Sequence, residues 1–185
     1  MRKLIYLSQA SVDGYVADRN GNFDWARPSE PVHRMVNDLA GSVGTYLLGR
    51  RMYDVLLAWE TMDTSDQPPY IADFKEIWLG ADKIVYSTTL EEASSAKTTI
   101  EPTFGPSAVA ELKSTSDRDL SIGGPALAAH AFRAGLVDEL QLFVVPEIVG
   151  GGTRFLPEDV RLRLELLDER RFESGTTFLR YRTRS

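Results

Sequence analysis

The chain has 185 residues, enough to bury one sizeable core and short for two ordinary domains, so a single domain over residues 1–185 is expected. Hydrophobic content of 43% and charged content of 26% are those of a soluble globular protein, and no apolar run approaches the ~20 residues of a membrane helix. The net charge of −6, from 21 basic and 27 acidic residues, argues against a general nucleic-acid footprint but leaves room for a local basic pocket.

The N-terminal run "LIYLSQA" (4–10) is short, lacks a convincing cleavage site and reads as a strand buried on both faces rather than a signal peptide. A long polar loop over residues 12–28, punctuated by Asp-Gly and Asn-Gly, follows it. Val32, Met35, Val36 and Leu39 recur at helical spacing, with Ser29 as cap and Gly41 as stop. "TYLLG" (45–49) is a second strand, and "RRMYDVLLAW" (50–59) reads as a helix directly after it. A polar loop and a short helix come next, then "DKIVYSTTL" (82–90) as a third strand and "TTIEP" (98–102) as a small one. "SAVAELKSTS" (107–116) is a helix, "DLSIG" (119–123) a strand and "PALAAHAFRAGLV" (125–137) a helix. After "DELQLFVVPEIVGGG" the pattern changes to alternation on both sides of Ser174-Gly175, a hairpin signal. Strand–helix repeats closing in antiparallel strands predict a three-layer α-β-α fold. Its sheet is expected to be mostly parallel and twisted, with an antiparallel C-terminal hairpin.

Open sheets of this kind bind ligands beyond the carboxyl ends of their strands. There the chain places Gly49 before Arg50 and Arg51, a hydroxyl cluster at Ser87, Thr88 and Thr89, and Gly123-Gly124 before Pro125, with three further glycines at 150–152. Helix N-termini offer free N–H groups and about half a positive charge, and glycine lets backbone approach oxygen. Arginine adds a planar fork matched to phosphate. Together these features suggest a nucleotide with a pyrophosphate and a separate terminal phosphate, and NADPH has both. Plainer readings stand beside this one: solvated arginines, a serine capping a turn, and a glycine hairpin or bulge. The Rossmann and P-loop fingerprints are absent. With no cysteine the chain has no disulfide, thiolate metal site or cysteine nucleophile, which suits a reducing cytoplasm. His33 and His130 lie far apart without partners at ligand spacing, so no metal is expected.

Five segments in order carry a resemblance: "SVDGYVA" (11–17), "GR" (49–50), "ST" (87–88), "IGG" (122–124) and "GGGTRF" (150–155). They resemble the dihydrofolate-reductase-fold family, closest to the reductase domain of the riboflavin-synthesis deaminase–reductase and its stand-alone relatives. The resemblance implies that Ser8, Gln9, Val16 and Ala17 face the nicotinamide through backbone groups, with Thr153 near that end. It implies that Gly49, Arg50, Arg51 and Met52 hold phosphates, Arg50 taking the 2′-phosphate, and that Ser87 and Thr88 meet the adenosine ribose or its phosphate. Ile122, Gly123, Gly124, Pro125, Ala126 and Leu127 would cradle the pyrophosphate. Substrate would lie between Phe23, Asp24 and Trp25 on one side and Tyr53 and Leu56 on the other. In "WARPSEPVHRM", where dihydrofolate reductases carry a helical carboxylate, Glu30 is the sole acid, which favours a riboflavin-type or unassigned reductase.

The expected activity is NADPH-dependent hydride transfer to a small pyrimidine- or pterin-like heterocycle, with the loop 12–28 acting as a lid. Asp13, Asp24 and Asp54 are candidate proton donors, Asp13 having an alternative structural role at its Asp-Gly turn. The rival is a catalytically inactive nucleotide-binding or dimeric regulatory protein on the same fold. A homodimer is expected, packed face to face through "DELQLFVVPEIV" and "TTFLRYRTR", with a small-molecule substrate and neither nucleic acid nor membrane as partners.

Overall fold

The computed structural model describes residues 1–184. The elements in chain order are β1 (Leu4–Ser11), β2 (Tyr15–Ala17), a 3-10 turn (Asp24–Ala26), α1 (Glu30–Ala40), β3 (Val43–Gly49), α2 (Arg50–Leu56), α3 (Ala58–Thr61) and α4 (Pro69–Gly80). They continue as β4 (Asp82–Tyr86), β5 (Thr98–Glu101), α5 (Pro106–Thr115), β6 (Asp119–Gly123), α6 (Pro125–Arg133), β7 (Glu139–Val145), β8 (Thr153–Arg154), β9 (Arg163–Arg171) and β10 (Thr177–Arg184). Eight strands form one sheet in the order β5-β4-β3-β6-β1-β7-β10-β9. The first six run parallel, and β10 and β9 add an antiparallel hairpin at one edge.

Strand alternation sorts the apolar side chains onto two faces. Leu4, Tyr6, Leu47, Leu120 and Ile122 point to the face covered by α5 and α6, where they pack with Val109, Leu127, Ala128 and Phe132. Tyr46, Leu48 and Val85 point the other way and meet Tyr53 and Trp78 from α2 and α4. Val32 of α1 fills the same side further along, against Phe143, Phe172 and Phe178. The result is the expected three-layer sandwich, and the central strands are apolar because both faces are covered.

The outline predicted from sequence needs local changes. Residues 12–28 are not one open loop, since β2 and the 3-10 turn lie within them. The stretch 50–59 divides at Leu57 into α2 and α3. β4 stops at Tyr86 because the Ser87 hydroxyl oxygen accepts N–H bonds from Thr89 and Leu90, folding the chain into a turn. β7 stops at Val145, where Pro146 has no N–H to continue a ladder. β7 is also buried almost throughout, so it has no apolar face to offer a second copy. The exposed leucines Leu164 and Leu166 lie on β9, with Leu162 just before it. No helix among the described residues is long and apolar enough to cross a membrane.

Candidate functional site

Unequal strand lengths open the crevice. β1 pairs with β6 only as far as Tyr6↔Ile122, but with β7 as far as Ser11↔Val145. Past Tyr6 one edge of β1 is therefore free, and Ser8, Gln9 and Ala10 line it. Across the gap β6 ends in Gly123, level with Leu48 at the end of β3. The two following helices, α2 and α6, consequently begin side by side.

Their starting residues touch. A Cβ on Gly124 would lie 3.8 Å from the Gly49 nitrogen, and one on Gly49 would lie 3.6 Å from the Leu127 Cβ. Met52 packs against both Gly123 and Gly124 and wedges the two helix starts together. Gly124 has φ +95°, which side-chain-bearing residues rarely adopt. Neither helix has a side-chain cap, because each N-cap residue is glycine and brings no oxygen. Ala128 N–H closes the first turn of α6 on the Gly124 carbonyl, which leaves the N–H groups of Ala126 and Leu127 ahead of the intrahelical ladder. Pro125 suits this position because it has no N–H to leave unpaired. Ile122 takes part through its backbone alone, since its side chain is fully buried in the core.

Arg50 binds Asp54 one turn on, its Nε 2.8 and 2.9 Å from the two carboxylate oxygens. Its two terminal amino groups have no protein partner among the described residues, so the ion pair aims the fork without consuming it. Arg51 is exposed beside it. Gly49 is level with Tyr86 on β4, which brings Ser87 and Thr88 to the same end of the sheet. The Ser87 hydroxyl belongs to its turn, as the plainer reading expected, while Thr88 is exposed.

On the far side of β1, β2 pairs with β8 through Ala17↔Thr153, so Val16, Ala17 and Thr153 come together as expected. Gly152 makes this possible, since any Cβ there would collide with the Ala17 carbonyl. Asp13 ties the same region down, accepting N–H bonds from Val149 at 3.2 Å and Gly150 at 2.8 Å. The Ser11 hydroxyl and these two amides hold its carboxyl below the usual carboxylate range.

Several expected roles change. Asp13 is ionised and occupied as a loop tether, which corrects its reading as a proton donor. Asp54 is engaged by Arg50, which corrects its reading likewise. Tyr53 is 1% exposed, packed in the core with Trp78, and its hydroxyl meets Ser95 Oγ at 2.9 Å and the Ser94 N–H at 3.0 Å. It cannot contact substrate as expected, and Leu56 packs against the same core cluster. Phe23, Asp24 and Trp25 stay together at the 3-10 turn, with Phe23 exposed and Trp25 Nε1 donating to the Asn22 carbonyl. The Asp24 carboxylate has no hydrogen-bond partner among the described residues.

Two features escaped the sequence reading. The Gln9 Oε1 atom is buried without a hydrogen-bond partner, next to the unpaired edge of β1. Ser29 Oγ, at the N-cap of α1, and His33 Nδ1, in its first turn, are buried and unpartnered too, and the His33 ring centroid lies 5.0–6.1 Å from those of Tyr70, Phe74 and Trp59. Burial holds its pKa below the ordinary imidazole value. The i, i+4 spacing of Ser29 and His33 was legible, but the aromatic neighbours come from other elements. His130 is exposed on α6 and stacks on Phe104.

Known proteins share this architecture. The uncharacterized protein YyaP of Bacillus subtilis (strain 168) is 26% identical over 185 residues, covering 97% of this chain and 94% of that one. The solved structure of a putative riboflavin biosynthesis protein from Shewanella sp. PV-4 superposes with a TM-score of 0.78 at 21% identity, covering 99% of each chain. The diaminohydroxyphosphoribosylaminopyrimidine deaminase/5-amino-6-(5-phosphoribosylamino)uracil reductase of Thermotoga maritima matches 99% of this chain and 57% of its own, with a TM-score of 0.68 at 15% identity. The fold is dihydrofolate-reductase-like, with the mostly parallel sheet and terminal hairpin described above. The model of the RibD C-terminal domain matches residues 2–178, and the chain belongs to that family.

Proposed function

We propose that this protein is an NADPH-dependent reductase that transfers a hydride to a small pyrimidine-like heterocycle. Membership in the RibD C-terminal family supports a reductase of pyrimidine type. The observation that carries the cofactor reading is the pair of uncapped, glycine-initiated helix starts lying side by side at the crevice beside β1. That donor set fits a dinucleotide: adjacent N–H groups and helix dipoles for a pyrophosphate, and the free amino groups of Arg50 for a 2′-phosphate.

When bound, NADPH would supply the hydride. The chain's own residues supply position and charge. The first turn of α6 holds the pyrophosphate through Ala126 and Leu127 N–H, and Arg50 and Arg51 hold the phosphate at the adenosine end beside Ser87 and Thr88. Backbone groups of Ser8, Gln9, Val16 and Ala17, with Thr153, orient the nicotinamide ring. Phe23 and Trp25 cover the acceptor and exclude water, as a lid does. A proton must accompany the hydride, from water or from an acid, and Asp24 at the 3-10 turn is the one of the three candidate carboxyls without a hydrogen-bond partner among the described residues.

The occupation of Asp13 and Asp54 favours a second reading, nucleotide binding without turnover. Titration with NADPH and NADH, followed by tryptophan fluorescence and then by cofactor oxidation with pyrimidine acceptors, separates the two. Saturable NADPH binding with oxidation is expected. Binding without oxidation under every acceptor leaves the second reading, and absence of binding sinks both. Arg50→Ala is expected to weaken NADPH by roughly 1.5–3 kcal/mol, about ten- to a hundredfold, and to leave NADH nearly unchanged.

A further inference from the structure

Three polar atoms at α1 are buried with no hydrogen-bond partner: Ser29 Oγ, His33 Nδ1 and Asn37 Oδ1. The residues stand at i, i+4 and i+8, so they form one stripe along the helix. The stripe faces α4, because Asn37 Nδ2 donates to the Tyr70 carbonyl at 2.7 Å. Ser29 stands at the N-cap, where a hydroxyl ordinarily accepts a helix N–H, yet it makes no cap bond. Unpaired polar atoms are costly to bury, and a row of three in one place points to a ligand. The row lies at the crevice. α1 leads into β3 and α4 into β4, and these strands are parallel, so both helices run back from the strands' carboxyl ends. The 3-10 turn before α1 also contacts β1. His33 and Tyr70 occupy the first turns of the two helices, and with Trp59 and Phe74 they form an aromatic notch. None of these four rings is fully buried, unlike Tyr53 and Trp78 of the core.

Asn37 sets the His33 ring. Only its amide nitrogen can donate to the Tyr70 carbonyl, which leaves Oδ1 as an acceptor on the stripe. Burial lowers the imidazole pKa and outweighs the Asn37 side chain, which favours the proton, so the ring is uncharged near neutral pH. An uncharged imidazole with its proton on Nδ1 presents a lone pair at Nε2. His33 Nε2 has no partner among the described residues. We propose that Ser29 and His33 recognise the substrate heterocycle by an edge carrying an N–H beside a carbonyl, His33 Nε2 accepting from the N–H and the Ser29 hydroxyl donating to the carbonyl. The flat ring lies in the aromatic notch, and Asn37 is the positioning residue that keeps the His33 proton on Nδ1. These side chains form the wall of the substrate site that Tyr53 and Leu56, packed in the core, do not supply. The assignment rests on the reductase reading for the ligand's role as hydride acceptor, but the recognition itself needs no cofactor.

The chain has two histidines, so exposed His130 is an internal control for His33 in long-range proton–nitrogen NMR spectra. The probes are uracil, which carries ring N–H groups, and 1,3-dimethyluracil, which keeps the ring and carbonyls but has no N–H. Both are titrated at millimolar concentration without cofactor. His33 is expected to carry its proton on Nδ1 before either is added. Uracil should then move the His33 Nε2 signal and leave His130 in place, while 1,3-dimethyluracil should bind about tenfold more weakly. His33→Phe keeps an aromatic ring in the notch and removes the acceptor. It should fold as the wild type does by circular dichroism and lose about tenfold in uracil affinity. Asn37→Ala should shift the His33 proton to Nε2, which a residue serving only to pack α1 on α4 would not do. An unchanged proton position in Asn37→Ala overturns the positioning role. A wild-type His33 protonated at Nε2, equal binding of the two probes, or undiminished uracil binding by His33→Phe overturns the recognition. Absence of uracil binding overturns it too, and assigns the three buried atoms to water. A protein that binds uracil as described but never binds NADPH removes the reductase reading and leaves this assignment standing. Steady NADPH oxidation with His33 unmoved by uracil does the reverse.

Discussion

Asp13 shows what one carboxylate contributes when it is a tether rather than an acid. It spans from the loop after β1 to the amides of Val149 and Gly150, and so holds β8 against β2 beside the crevice. Its carboxyl titrates below the ordinary 3.8, with the Ser11 hydroxyl as the largest cause and the backbone amides after it. A depressed carboxyl contributes while it is ionised, and the contribution is lost as pH falls through the folded-state value. Hydrogen-exchange protection at Val149 and Gly150 should therefore hold steady from about pH 5 to 8 and collapse only below about 4. Asp13→Ala should show the unprotected state at every pH. Protection that persists in the variant would remove Asp13 from this role. Residue types were legible in the sequence, but side-chain directions were not. The helix "RRMYDVL" has apolar Met52, Tyr53, Val55 and Leu56 within two turns, and only the packed sheet decides that Tyr53 is buried while Val55 is exposed.

At the level of elements, the site is made by two strand–glycine–helix junctions. Each was visible in the sequence as an apolar run, a glycine and a helix, because glycine at an N-cap leaves backbone N–H groups free. Their adjacency was not visible. β3 and β6 are separated by sixty-nine residues, and only the order β4-β3-β6-β1 sets one beside the other. Gly124 is the joint that lets α6 start at the required angle. Its φ of +95° is the constraint, since an added Cβ would meet Met52 Cβ at 3.6 Å, an ordinary contact. Gly124→Ala should thus destabilise the fold by roughly 1–3 kcal/mol through backbone strain, measured by urea unfolding. It should also weaken NADPH and NADH together, because both share the pyrophosphate seat. A variant as stable as the wild type, binding both as tightly, would show that the turn is not the strained joint described here.

Across the whole molecule, the sheet ties early and late chain together. β1 pairs with β7, β7 with β10 and β10 with β9, so residues near the N-terminus and the last strands share one ladder. The alternation of strands and helices made the parallel sheet legible, and the repeat of apolar residues around Ser174-Gly175 gave away the hairpin. The spatial order of strands depends on which crossover packs on which face, and a single sequence does not record it. With both ends of the chain in one sheet, unfolding should be a single transition in which fluorescence and circular dichroism coincide. NADPH should shift that transition as a ligand of the folded state alone. At a hundred times its dissociation constant it adds about 2.7 kcal/mol, and about 2–4 °C per kcal/mol for a chain of this size gives roughly 5–11 °C. NADH at the same concentration should give a smaller shift, because Arg50 then has no 2′-phosphate to hold. In Arg50→Ala the two shifts should converge. Two separate transitions would break the single-core description. Equal shifts from both cofactors in the wild type would take the 2′-phosphate away from Arg50.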